Sequence, residues 1–67
     1  MKAEDIRELS DELLQARIEE LKESIFRMRF KLSLGTLDVV KNLREQRKDL
    51  ARVQTIIRER EIAAGKQ

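Results

Sequence analysis

From Leu14 onward, apolar side chains return every three or four residues. Leu14, Ile18, Leu21, Ile25, Met28 and Leu32 are spaced 4, 3, 4, 3 and 4, an a/d seam held for nearly three heptads. No glycine or proline interrupts it, so the pattern predicts one helix over about residues 11–33, roughly 34 Å long. Ser10, followed by Asp11 and Glu12, suits its N-cap. There a hydroxyl oxygen accepts a backbone N–H, and carboxylates meet the positive end of the helix dipole. Gly35 suits the left-handed residue that closes a helix C-terminus, and residues 34–38 form the expected turn. Thr36 and Asp38 are both candidates to cap the next helix, Asp38 being preferred. Beyond the turn, Val39, Leu43, Gln46, Leu50, Val53, Ile57 and Arg60 repeat the 4, 3 spacing and predict a second long helix over about 39–62. Ahead of Ser10, the apolar positions Ala3, Ile6 and Leu9 predict a short helix over about 3–9.

A turn this short forces the two long helices antiparallel. One register then satisfies every layer: Leu32 beside Leu43, Met28 beside Gln46, Ile25 beside Leu50, Leu21 beside Val53, and Ile18 beside Ile57. The expected fold is all-α, a long antiparallel two-helix coiled-coil hairpin with a short N-terminal helix folded near its open end. It forms a single domain over residues 1–67, with residues 63–67 fraying. Gln46 is the polar interruption in the seam. It either fixes the register or reaches solvent past Met28. The seam is narrow, so a partner is expected to complete the stability of the hairpin.

Composition supports long helices: charged residues make up 42%, and Pro, Cys, His, Trp and Tyr are absent. Without cysteine there is no disulfide framework and no thiolate metal site. No apolar run approaches the ~20 residues that span a bilayer, and residues 1–5 lack the apolar core of a signal peptide. A cytoplasmic protein is therefore expected, with no membrane partner. The net charge of +2 hides an asymmetry. Residues 1–23 hold eight acids against four bases, and residues 24–67 hold eleven bases against five acids. A basic half joined to an acidic half points to an anionic partner that engages part of the molecule. The competing interpretation is a solvated, highly charged helical surface.

The basic residues of the second helix are ordered on one face. At 100° per residue, Lys41, Arg44, Lys48, Arg52 and Thr55 fall within a wedge of roughly 80°, opposite Leu43, Leu50 and Val53. Bases recurring every three or four residues suit successive phosphates along a groove edge. Glu45 and Asp49 flank the wedge, and Arg27 and Arg29 add charge near the turn. No aromatic residue is interleaved among these bases, so base stacking is unsupported, and shape and phosphate recognition of a folded RNA fits better. Phe26 and Phe30 lie one turn apart, off the seam. They either shield the flank of the coil or enter a neighbouring RNA or protein surface, the second being favoured. Ile56 and Ile62 are also off the seam and are candidates for a protein contact.

Catalysis has little to stand on. There is no His or Cys, no nucleophile with an orienting base and no glycine-rich phosphate loop. The pair Glu19 and Glu23 belongs to an exposed face, and a two-helix hairpin encloses no pocket. No enzyme, cofactor, metal or small-molecule substrate is expected.

Four segments, in order, resemble the bacterial large-subunit ribosomal protein number twenty-nine family. Arg47-Lys48-Asp49-Leu50-Ala51-Arg52-Val53-Gln54-Thr55 is similar to its signature of two bases, an acid, an aliphatic residue, then Ala-Arg-aliphatic-x-Thr. Met1-Lys2-Ala3 with Ile6-Arg7 and Ser10 resembles its opening, Phe26-x-Met28-Arg29 its Phe-x-Leu-Arg element, and Gly35-x-Leu37 its turn. The likeness covers about residues 1–60. Gln46, where the family has a small or apolar residue, and Val39-Val40, where it has a more polar stretch, depart from the pattern.

The resemblance implies a non-enzymatic structural component of the large subunit, bound to ribosomal RNA at the rim of the polypeptide exit tunnel. Its implied neighbours are ribosomal proteins of that rim, number twenty-three among them, and nascent-chain factors. It carries Arg29, Arg47, Lys48, Arg52 and Thr55 over as RNA-binding candidates, whereas Lys41 and Arg44 rest on the wedge alone. The alternative is a coiled-coil protein–protein interaction module without nucleic-acid binding.

Overall fold

Ser10 opens the first long helix in the expected way: its Oγ accepts the backbone N–H of Leu13 at 3.2 Å. The computed structural model describes residues 2–65. Along them run α1 (Ala3–Arg7), α2 (Asp11–Ser33), a 3-10 turn (Leu37–Val39) and α3 (Val40–Ala63). α2 and α3 form the antiparallel hairpin, a rod of 45 × 20 × 18 Å, and α1 lies against α3. α2 ends where Gly35 takes φ +92°. The Gly35 N–H donates to Leu32 O and the Thr36 N–H to Lys31 O, which together satisfy two of the last helical carbonyls.

Three local expectations need correction. α1 ends at Arg7 rather than Leu9. Leu9 still packs on the core, but from a turn in which its N–H donates to Ile6 O at 3.1 Å. Asp38 caps nothing: it sits inside the 3-10 turn, and Val39, which precedes α3, makes no side-chain cap. α3 accordingly starts at Val40 and runs to Ala63, so Ala63 is helical, while Lys66 and Gln67 lie outside the described residues.

The core sits at the open end of the hairpin. Ile6, Leu14, Ile18, Leu21, Val53 and Ile56 form one buried cluster, with Leu9, Leu50 and Ile57 packed at its edge. Ile56 is 4% exposed, so it is a core residue and not a protein-contact candidate. The reason is α1. A two-helix seam leaves Ile56 on the flank of α3, and the short helix brings Ile6 to cover that flank. Arg60 fastens the arrangement from outside. Its guanidinium donates to Asp11 Oδ1 at 2.7 Å, to Arg7 O at 3.0 Å and to Leu9 O at 2.7 Å. One side chain thus joins α3, the start of α2, the last carbonyl of α1 and the Leu9 carbonyl of the turn between them. Arg7 and Glu59 add a looser contact at 3.8 Å.

Toward the turn the packing thins. Ile25 and Leu43 are buried outside the main cluster, and Leu32 is only half-buried. Gln46 is half-buried too, and its Oε1 is enclosed without a hydrogen-bond partner. That carbonyl does not reach solvent.

Candidate nucleic-acid interface

The cations of the hairpin divide into two populations. At the open end they are engaged: Arg7 with Glu59, Arg17 with Glu20, Arg58 with Glu61 and Arg60 with Asp11. Arg27 pairs with Glu23 and Arg52 with Asp49. Among the described residues, Lys2, Lys22, Arg29, Lys31, Lys41, Arg44, Arg47 and Lys48 make no ion pair with a carboxylate. All of these are exposed, and all but Lys2 and Lys22 lie in the turn-side half of the hairpin. Lys41, Arg44 and Lys48 share one face of α3 over a rise of about 10 Å, and Arg47 is turned toward α2.

The same half leaves large apolar side chains bare. Phe26 and Phe30 are 71% and 60% exposed, and Leu34 and Leu37 are 70% and 71% exposed. The two phenylalanines therefore do not seal the flank of the coil. Four such side chains beside unpaired cations are what a molecule keeps for a partner rather than for its own interior.

The structure redistributes the basic wedge of α3. Arg52 donates to Asp49 Oδ1 at 3.1 Å, and Lys48 and Arg52 share a shallow cleft with Glu45 and Asp49. The acids thus reach into the wedge instead of merely flanking it, and the field at its far end is weakened. The Thr55 hydroxyl donates to Ala51 O at 2.8 Å, which leaves it lone pairs but no proton for a partner. Lys41 and Arg44 keep their charge unmatched.

Arg29 and Arg47, from different helices, line one groove between α2 and α3 together with Lys22. Phe26 stands in its wall, Ile25 and Leu50 lie beneath, and Gln54 and Ala51 complete the α3 side. Three bases and no acid meet there. Arg47 and Ile56, nine residues apart, lie about 180° apart around α3, so the groove occupies the flank of α3 opposite the one that α1 covers. Sequence spacing does not reveal Lys22 or Gln54, because each joins the site only through the register of the hairpin. The register that sets Ile25 beside Leu50 is the available signal. Phe30 and Ile56 are not part of the groove.

Among the described residues, no group of His, Cys, Asp or Glu is placed to hold a metal ion, and no helix is long and apolar enough to cross a membrane.

A slender all-α hairpin, packed at one end and bare and cationic along the other, defines a small helical protein with no enclosed active site among the described residues. Residues 4–60 match the family described as Ribosomal L29 protein, and the chain belongs to that family, a structural, non-enzymatic class. It is 53% identical over 66 residues to the large ribosomal subunit protein uL29 of Carboxydothermus hydrogenoformans, covering 98% of this chain and 96% of that one. It is 50% identical to the uL29 of Geobacillus stearothermophilus, over 98% of this chain and all of that one. The uL29 of Solibacter usitatus is 44% identical over 98% of each chain. No solved structure matches the chain.

Proposed function

We propose that this chain is a structural constituent of the large ribosomal subunit of the bacterial cytoplasm, and that it binds ribosomal RNA through the turn-side half of its hairpin. The observation that carries this reading is the concentration of unpaired cations in that half, in a chain of the ribosomal L29 family. Arg29, Lys41, Arg44, Arg47 and Lys48 face phosphates in this reading. Arg52 and Thr55 contribute at its edge, where Asp49 and the Ala51 carbonyl already engage them. The role is one of position. A rod clamped at one end holds its charges at fixed spacing, and fixed spacing favours one folded RNA surface over a random polyanion. The resemblance of its motifs to the family supports a position at the rim of the polypeptide exit tunnel, beside other ribosomal proteins and within reach of nascent-chain factors.

Salt dependence tests the RNA contact. About six neutralised phosphates give a slope of log K against log salt of roughly −4 to −5. A slope shallower than about −2, or affinity for large-subunit RNA no better than that of a charge-matched helical peptide at ~0.15 M salt, would reject the proposal in favour of a protein–protein module. For the location, a crosslinker on Thr36→Cys is expected to capture proteins of the tunnel mouth. Crosslinks confined to another face of the subunit would count against it.

A further inference from the structure

We propose that the groove between α2 and α3 is a nucleotide pocket, taking one unstacked nucleotide of the RNA with its base on Phe26 and its phosphate among Lys22, Arg29 and Arg47. The inference rests on the RNA-binding reading above and deepens it. Phosphate contacts alone would leave the apolar part of this groove unexplained. Ile25 and Leu50 form a floor, Phe26 turns a largely bare ring into the same space, and three bases surround it with no acid on the lining. The groove offers about 400 Å³ of room, within the ~300–1,000 Å³ typical of small-ligand sites.

Each part matches a part of a nucleotide. An aromatic face stacks on a base, as single-stranded segments of folded RNA are commonly held. A side-chain amide such as that of Gln54 carries both donors and an acceptor for a base edge. Guanidinium groups bind phosphate through paired N–H donors, and Arg29 and Arg47 approach from opposite helices. An acidic peptide would satisfy the bases but would set no π-face against Phe26. The bases of α3 have no aromatic among them along the chain; the hairpin supplies one from the other helix.

The chain has no Trp or Tyr, so Phe26→Trp and Phe30→Trp each provide a single emitter, and both positions are exposed enough to accept the larger ring. Titration with protein-free large-subunit RNA is expected to quench the tryptophan at 26 strongly and the one at 30 weakly. Phe26→Leu is expected to weaken binding on the order of tenfold, in the range of one lost base stack, with the salt slope unchanged. Arg47→Gln is expected to reduce that slope by about one phosphate contact. Circular dichroism of each variant should show the native helix content.

If tryptophan at 26 and at 30 respond alike and Phe26→Leu binds as the native chain does, the pocket is overturned while salt-sensitive RNA binding stands. If tryptophan at 26 responds only to subunits that retain their proteins, the occupant is a protein side chain, and the proposal is again overturned. Native protein that shows no salt-sensitive binding would remove the RNA reading itself, and the pocket with it.

Discussion

Replacing Arg60 with methionine should loosen the whole open end of the molecule. Methionine keeps an unbranched apolar stem of similar reach and deletes the three hydrogen bonds. The bond to Asp11 Oδ1 is short at 2.7 Å, but Asp11 is 80% exposed, so this pair is worth about 0.5 kcal/mol at most after screening. The bonds to Arg7 O and Leu9 O matter more. They satisfy the last carbonyl of a five-residue helix and the Leu9 carbonyl of the turn that follows it. Hydrogen bonds to charged groups contribute about 1.5–3 kcal/mol each. Arg60 retains partial exposure and both carbonyls regain water when it leaves, so a total of about 2 kcal/mol is expected. A 67-residue chain is stable by only ~3–10 kcal/mol, which makes this a large share.

Urea unfolding followed by far-ultraviolet circular dichroism measures the loss, with Asp11→Asn as the control. The expected pattern is a clear fall in midpoint for Arg60→Met and a change under about 0.5 kcal/mol for Asp11→Asn. Equal losses for the two variants would mean that the ion pair, not the carbonyl clamp, holds α1 down. A loss below about 0.5 kcal/mol for Arg60→Met would mean that the clamp holds nothing.

Other substitutions probe separate parts of the hairpin. Gly35→Ala meets no atom within 4 Å, so its cost comes from a backbone at φ +92° alone. A loss of about 1–2 kcal/mol in thermal unfolding is expected, and no loss would contradict the strain argument. Gln46→Leu removes an enclosed, unpartnered acceptor and restores the seam. It should raise stability by about 1 kcal/mol in the same measurement, and a loss would show that the polar residue holds the register. Arg47→Glu should weaken binding to large-subunit RNA more than Arg52→Glu, because Arg52 already answers to Asp49. Equal effects in a filter-binding titration would restore the simple wedge.

A feature is legible in this chain to the extent that it is local. The seams of α2 and α3, the Ser10 cap and the Gly35 termination depend on neighbours within a turn or two, and the periodicity of the chain displays them. The antiparallel hairpin itself is also readable, because one short turn forces it. Ile56 lies outside a seam drawn for two helices, and the burial of its side chain depends on a third. Leu9 extends the apolar pattern of α1 without extending its backbone, so a burial signal mimics a helical one. The Asp38 cap fails because a 3-10 turn intervenes before α3. The groove is invisible in principle to either helix alone: Lys22, Phe26 and Arg29 meet Arg47 and Gln54 only across the pair.

The Arg60 clamp also bears on how the chain must be made. Its bonds join residues 49, 53 and 51 positions apart, and the buried cluster it adjoins draws on Ile6 at one extreme and Ile56 at the other. Helical proteins usually fold quickly because their contacts are short-range; here the decisive ones are not. A hairpin closing from its turn would pass first through its thinnest layers and gain little until the last turns met. During synthesis, Ile6, Leu14, Ile18 and Leu21 are complete long before Val53 and Ile56 exist to cover them. The newborn chain therefore carries an amphipathic helix without its mate until Val53, Ile56 and Arg60 have been added, and its commitment to the native state waits for them.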